Sequence, residues 1–210
     1  MENKIIRLWK IKTSKIELID ITKAWIALSL AFAFVYSGIT LLDGTFSKVL
    51  SPSFLIIVLI SFFTAGLGFL LHELAHKFVA QKYGCLAEFR AFDQMLYLAV
   101  GLAILTGFIF AAPGAVMIAG NITRRENGMI SAAGPITNYV LAMIFLILAN
   151  FLPVLNIIWL TGFGINMWLG LFNMIPFLNF DGKKIWDWSI PIWLVMVGFG
   201  VFFTFFFDRI

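Results

Sequence analysis

Charge, cysteine and histidine are all scarce in this sequence. Charged residues make up 12% of it and hydrophobic residues 61%, where an ordinary soluble domain carries about a quarter charged. That balance argues against a water-soluble fold. The single cysteine, Cys85, excludes an intramolecular disulfide and reads as a small buried hydrophobe. Internal repeats and low-complexity linkers are missing, and no stretch is left over for a separate soluble module, so residues 1–210 read as one membrane domain. The first 23 residues carry six Lys and Arg without a continuous apolar core, which does not fit a cleaved signal peptide. The net charge of +4 is scattered between apolar segments, giving no basic surface for nucleic acid.

What is present is best counted in spans of roughly 20 apolar residues. The clear ones are Ala24–Leu42, about Ser53 to Tyr83 with Gly84 as its cap, Met129–Phe151, Ile157 to about Phe180, and Pro191–Phe207. Asn173 and Pro176 interrupt the fourth of these. Residues 5–21 mix apolar and charged side chains, as an interfacial strand or short amphipathic piece does. Residues 95–119 are apolar but broken by Gly101, Gly107 and Pro113-Gly114, which fits one span, a tight helical hairpin or a re-entrant loop.

Basic residues in short loops collect on the cytoplasmic face, so they weigh these options. If 95–119 enters and leaves on one side, 13 of the 15 Lys and Arg are cytoplasmic, with Lys4 and Lys10 among them, leaving Lys48 and Arg209 outside. A single crossing gives 10 against 5. Charge favours the re-entrant form, with the N-terminus cytoplasmic.

Both histidines of the chain stand in one motif, His72-Glu73-Leu-Ala-His76. Histidines four apart share a helix face and can grip one zinc ion, and the glutamate beside them can take a proton from an activated water. Ionisable groups inside an apolar span are costly and point to function. A catalytic zinc takes a third protein ligand, commonly a carboxylate. Glu88, Asp93 and Glu126 lie in polar connections with Arg90, Arg124 and Arg125 for company, Asp43 is a turn residue, and Asp187 sits between Trp186 and Trp188 as at an interface. Asp181, between Phe180 and Gly182 at the end of an apolar span, remains. The re-entrant topology also brings it to the cytoplasmic side, where His72 lies roughly 15 Å from its helix end. Pro176 should break the helix before it. Irregular backbone at membrane depth lines cavities, so Asn173 could donate to an oxyanion, or else bond a neighbouring helix.

These residues, together with Gly134-Pro135-Ile-Thr-Asn138 and Asn173-Met-Ile-Pro176 before Asp181-Gly182, occur in an order that resembles the site-2 protease family of intramembrane metalloproteases. The resemblance spans residues 72 to 182. It implies zinc held by His72, His76 and Asp181, Glu73 as catalytic base, and Asn173 at the oxyanion. It also implies that Gly134, Pro135 and Asn138 pack the neighbouring helix, Asn138 lining the site. Pro113 to Ile118 looks like the family's membrane-dipping sheet edge, so Gly114, Ala115 and Val116 would bind an unwound substrate helix, unless the segment is simply packed. Lys183-Lys184 depart from the family's glycine-rich continuation and put the local turn in question. No insertion is long enough for a PDZ or CBS domain.

The expected fold is thus an all-α polytopic membrane protein of about five to six transmembrane helices, with a re-entrant segment and a small membrane-associated β element. The expected function is zinc-dependent hydrolysis of transmembrane-helix substrates, with the active site toward the cytoplasmic side. The competing readings are a membrane zinc-binding or transport protein, which lacks support in the form of paired halves, and a non-catalytic relative that binds membrane helices. A protease of the type with a later glutamate ligand has only Glu126 to offer, in a loop.

Overall fold

The computed structural model describes residues 5–8, 11–109 and 113–207. Lys4, Lys10 and Arg209 of the charge count, and residues 110–112 of the segment 95–119, lie outside the described residues. The chain forms two compact units, one from residues 1–70 and 88–117 and the other from 71–87 and 118–210.

In the first unit β1 (Ile5–Leu8) pairs antiparallel with β2 (Ile11–Ser14), Ile5 opposite Ser14. α1 (Lys15–Ser37) follows at once, starting at Lys15 rather than Ala24. The cause is local: the Ser14 hydroxyl accepts from the Glu17 backbone N–H and caps the helix. Glu17 itself is fully buried, accepting from Thr13 Oγ1 at 2.7 Å and from the Phe89 backbone N–H at 2.9 Å. A charged residue that seemed to argue against a helix core is therefore a fixed tie.

A helical stretch from Pro52 to Lys82 comes next, close to the expected Ser53–Tyr83, and Gly84 beyond it takes the left-handed φ of 82°. It consists of α2 (Pro52–Ser61), a π-turn (Phe62–Gly66) and α3 (Leu67–Lys82). The Trp25 indole donates to the Phe62 carbonyl at 3.1 Å and stacks on its ring at 4.1 Å. A Cβ on Gly66 would stand 2.1 Å from Ser29 Oγ, so only glycine allows this approach of backbone to α1.

β3 (Leu86–Ala91) pairs with β4 (Gly114–Ala119), and α4 (Asp93–Thr106) lies between them in sequence. Residues 95–119 are thus a helix of 14 residues, about 21 Å long, closed by Gly107 at φ 71° and followed by a strand. A second helical arm is not formed among the described residues. β3 takes in Glu88 and Arg90, which pair with each other, and Asp93 accepts from Lys23 Nζ at 2.6 Å. The core of this unit is Ala31, Ala33, Phe34, Ile39, Phe54 and Ala103.

The second unit carries α5 (Arg124–Phe151), α6 (Asn156–Phe172), α7 (Asp181–Trp188) and α8 (Ile190–Phe205). α5 opens at Arg124, not Met129, because Thr123 and Glu126 form a reciprocal capping box. Glu126 is a helix-start residue rather than a loop residue. The span expected to run to Phe180 stops at Phe172, Pro176 lies in an irregular segment, and Asp181 opens α7 instead of closing a span. Tyr139, Phe145, Phe163, Met167, Met174 and Ile185 form the core.

Among the described residues four helices, 15–37, 52–82, 124–151 and 153–172, are long and apolar enough to cross a membrane, while 93–106 and 190–205 are shorter. Beside this apolar core, many large apolar side chains also face outward. α5 exposes Ile136, Val140, Ile144, Ile147 and Phe151 and buries Gly134, Asn138 and Ala142. Large apolar groups outside with small and polar groups inside is the arrangement that suits lipid.

Glu17→Leu removes the acceptor for Phe89 N–H, and an unsatisfied buried donor costs about 1–3 kcal/mol. Thermal unfolding in detergent should show a clear fall in Tm for Glu17→Leu and a smaller one for Glu17→Gln, which keeps one acceptor oxygen; equal Tm values for all three proteins would refute the tie.

Candidate active site

α3 puts His72 and His76 one turn apart on the same face, both buried. Their Nε2 atoms are 3.0 Å from each other. Asp181 Oδ2 lies 3.2 Å from His72 Nε2 and 3.1 Å from His76 Nε2. Three donor atoms from segments far apart in sequence thus form a nearly equilateral triangle. Around zinc at bond lengths of about 2.0–2.1 Å, tetrahedral donors stand about 3.3–3.4 Å apart. The observed edges fall within a few tenths of an ångström of that, and two imidazoles with one carboxylate are a common catalytic zinc set. His72, Glu73 and His76 also offer donor atoms within 4.8 Å of one another, so Glu73 stands beside the same point.

The far side of each ring fixes which nitrogen is bare. His76 Nδ1 is 2.8 Å from the Ile130 carbonyl, which can only accept, so Nδ1 carries the proton. His72 Nδ1 is 2.6 Å from Asn138 Oδ1, with the same consequence. Both Nε2 atoms then face the triangle, the orientation that bonds from the outer nitrogen of a ligating imidazole set. Asn138 is fully buried and donates in turn to Asn166 Oδ1 at 3.0 Å.

Gly134 explains the start of its motif. A Cβ there would lie 2.4 Å from His76 Nε2 and 2.5 Å from His72 Nε2, inside the space between α5 and the rings. Pro135 sits within α5 without ending it, leaving Ser131 without a helical donor. Gly182 is equally constrained: its N–H donates to the Asn173 carbonyl at 2.7 Å, and a Cβ would stand 2.2 Å from Met174. That close approach seats Asp181 at the first turn of α7. Lys183 and Lys184 continue a regular helix, Lys183 pairing with Asp187 and Lys184 Nζ lying 3.9 Å from Asp181 Oδ1.

Of the expected site residues, His72, His76 and Asp181 meet, Glu73 adjoins them, and Asn138 braces His72 from behind. Asn173 follows the last residue of α6 and donates one amide proton to the Leu169 carbonyl at 2.9 Å, a bond within its own helix turn. Gly114, Ala115 and Val116 belong to β4 in the other unit. Two participants were not singled out in the sequence, Asn166 and the Ile130 carbonyl. A lone asparagine inside an apolar span was the available signal for the first; a backbone carbonyl leaves none.

Two buried imidazoles and a carboxylate in an apolar helical protein are the donor set of a zinc-binding membrane protein. The chain is 41% identical, over 87% of its own length and 90% of the relative's, to a protein of Methanocaldococcus jannaschii provisionally named a zinc metalloprotease. It is 30% identical over 122 residues, 55% of this chain and 30% of the relative, to a second protein of that organism named a zinc metalloprotease. No family model matches, and no solved structure matches. The chain belongs to the zinc metalloprotease family of the first relative, and zinc is the cofactor that the relatives and the His-Glu-His group fit.

Gly134→Ala should therefore strip the metal without unfolding the protein. Metal analysis of the purified chain should find stoichiometric zinc in the parent and little in the variant; full zinc occupancy in Gly134→Ala would show that the space beside the rings is not needed.

Proposed function

We propose that this chain is an intramembrane zinc protease that hydrolyses peptide bonds in transmembrane helices of other membrane proteins. The observation that carries the reading is the Nε2–Nε2–Oδ2 triangle beside Glu73 in a chain whose outer surface suits lipid. His72, His76 and Asp181 hold the zinc. Bound there, zinc supplies Lewis-acid chemistry, lowering the pKa of water and polarising a carbonyl. Glu73 takes the proton of the attacking water and hands it to the leaving amine. Asn173 has a second amide proton, beyond the one given to Leu169, with which to hold the oxyanion. The attack forms a carbon–oxygen bond at the scissile carbonyl, and the carbon–nitrogen bond then breaks.

A substrate helix must unwind before any carbonyl is accessible, since its backbone is engaged along the whole helix. We assign Gly114, Ala115 and Val116 of β4 to that step, as an edge on which the unwound segment adds as a strand. Asn138 lines the site from behind His72. The N-terminus and the active site face the cytoplasm, with 95–119 entering and leaving on one side; the support is the distribution of Lys and Arg.

The test uses the purified chain in liposomes with a single-pass helical substrate. Cleavage should require zinc, and Glu73→Gln should abolish it, a loss of at least about a hundredfold for a missing general base, while zinc content stays at the parent level. Zinc flux into the vesicles without peptide cleavage would instead mark a transporter.

A further inference from the structure

Asn166 is fully buried in α6 and hydrogen-bonds to neither ring. A polar amide at that depth is costly and marks a role. Its Nδ2 donates to the Gly162 carbonyl at 2.9 Å, its Oδ1 accepts from Asn138 Nδ2 at 3.0 Å, and Asn138 Oδ1 lies 2.6 Å from His72 Nδ1. Every link has one permitted polarity. A backbone carbonyl only accepts, so it turns the Asn166 nitrogen toward itself and leaves the oxygen facing Asn138. That oxygen draws the nitrogen of Asn138, which turns the second oxygen toward His72. The ring must then carry its proton on Nδ1.

The geometry points to Asn166 as a positioning residue for the metal centre, a relay that transmits the fixed polarity of the Gly162 carbonyl through Asn138 and keeps Nε2 of His72 bare. If the acceptor at 166 is lost, the Asn138 amide is held less firmly in that direction. Its other end presents a nitrogen to the ring, moves the ring proton to Nε2 and blocks ligation there. His76 needs no relay, because its Nδ1 meets the Ile130 carbonyl directly. The inference rests on the reading that His72 ligates through Nε2, and the test separates the two.

The chain has only two histidines, so ring nitrogen-15 labelling of the full-length protein in detergent reports each tautomer, with His76 as an internal control. In the zinc-loaded parent both rings should be protonated at Nδ1. Asn166→Leu, similar in volume, should turn His72 into a mixture, leave His76 unchanged, and weaken zinc binding about 10–100-fold, the range for loss of a partner that orients a ligand. Asn166→Asp keeps an oxygen toward Asn138 and should keep both the tautomer and the affinity. A residue that only packed would give the opposite order, since leucine suits an apolar span better than aspartate. An unchanged His72 tautomer in Asn166→Leu overturns the relay. A shifted tautomer with unchanged zinc affinity leaves the relay standing and removes Nε2 ligation by His72. If His76 shifts as well, the fold has been disturbed, and the smaller Asn166→Ala takes the place of the leucine variant with the same two outcomes.

Discussion

The second unit brings together three atoms that repel one another unless a cation or a shared proton lies between them. Two imidazole nitrogens and a carboxylate oxygen stand 3.0–3.2 Å apart. In a low-dielectric interior that proximity is unfavourable in itself. Much of the surrounding structure serves to maintain it. Gly134 lets the rings lie against α5, Gly182 lets Asp181 lie against Met174, and the Ile130 carbonyl and Asn138 fix the rings from behind. None of these features adds to an apolar core, and each is accounted for by metal binding.

The apolar exterior is the complementary constraint. In water, burying Asn138 and Asn166 while exposing Val140, Ile144 and Ile147 would forfeit most of the hydrophobic effect. In lipid the exterior costs nothing, and association depends on close packing and internal hydrogen bonds. Polar groups can then be placed inside where they bond one another: His72 to Asn138, Asn138 to Asn166, Asn166 to Gly162.

How much of this could be read from the sequence follows the range of the forces involved. Histidines four apart are a local relation, so His72, Glu73 and His76 were legible as a metal motif. Asp181 was legible because acidic residues are few and the others had visible reasons to lie elsewhere. Asp93 and Glu126 do have other partners, Lys23 in one case and Thr123 in the other. The start of α1 was misplaced because residues 5–21 mix apolar and charged side chains, whereas one of those charges, Glu17, has a partner in Phe89, 72 positions away. β3 was missed for a related reason: a strand of six residues gains its stability from its partner β4, not from its own alternation. The role of Asn166 depends on one helix meeting another, which no window of sequence contains.

The segment from Asn173 to Asp181 joins these strands of the argument. Sequence suggested a span interrupted by Pro176; the structure has a complete break, with Leu178 in the left-handed region at φ 52°. A non-glycine residue there is held against its own preference. Around it, Gly182 N–H closes on the Asn173 carbonyl at 2.7 Å and the Trp193 indole closes on the Met174 carbonyl at 2.8 Å. The loop is therefore clamped at its base, with Asn173 on one side of the clamp and Asp181 on the other. A carboxylate in the triangle and an amide at the end of α6 cannot move independently when one hydrogen bond joins their backbones. The break in the helix is thus what allows a single short segment to carry two chemically different groups, a carboxylate beside the two imidazoles and an amide at the end of α6.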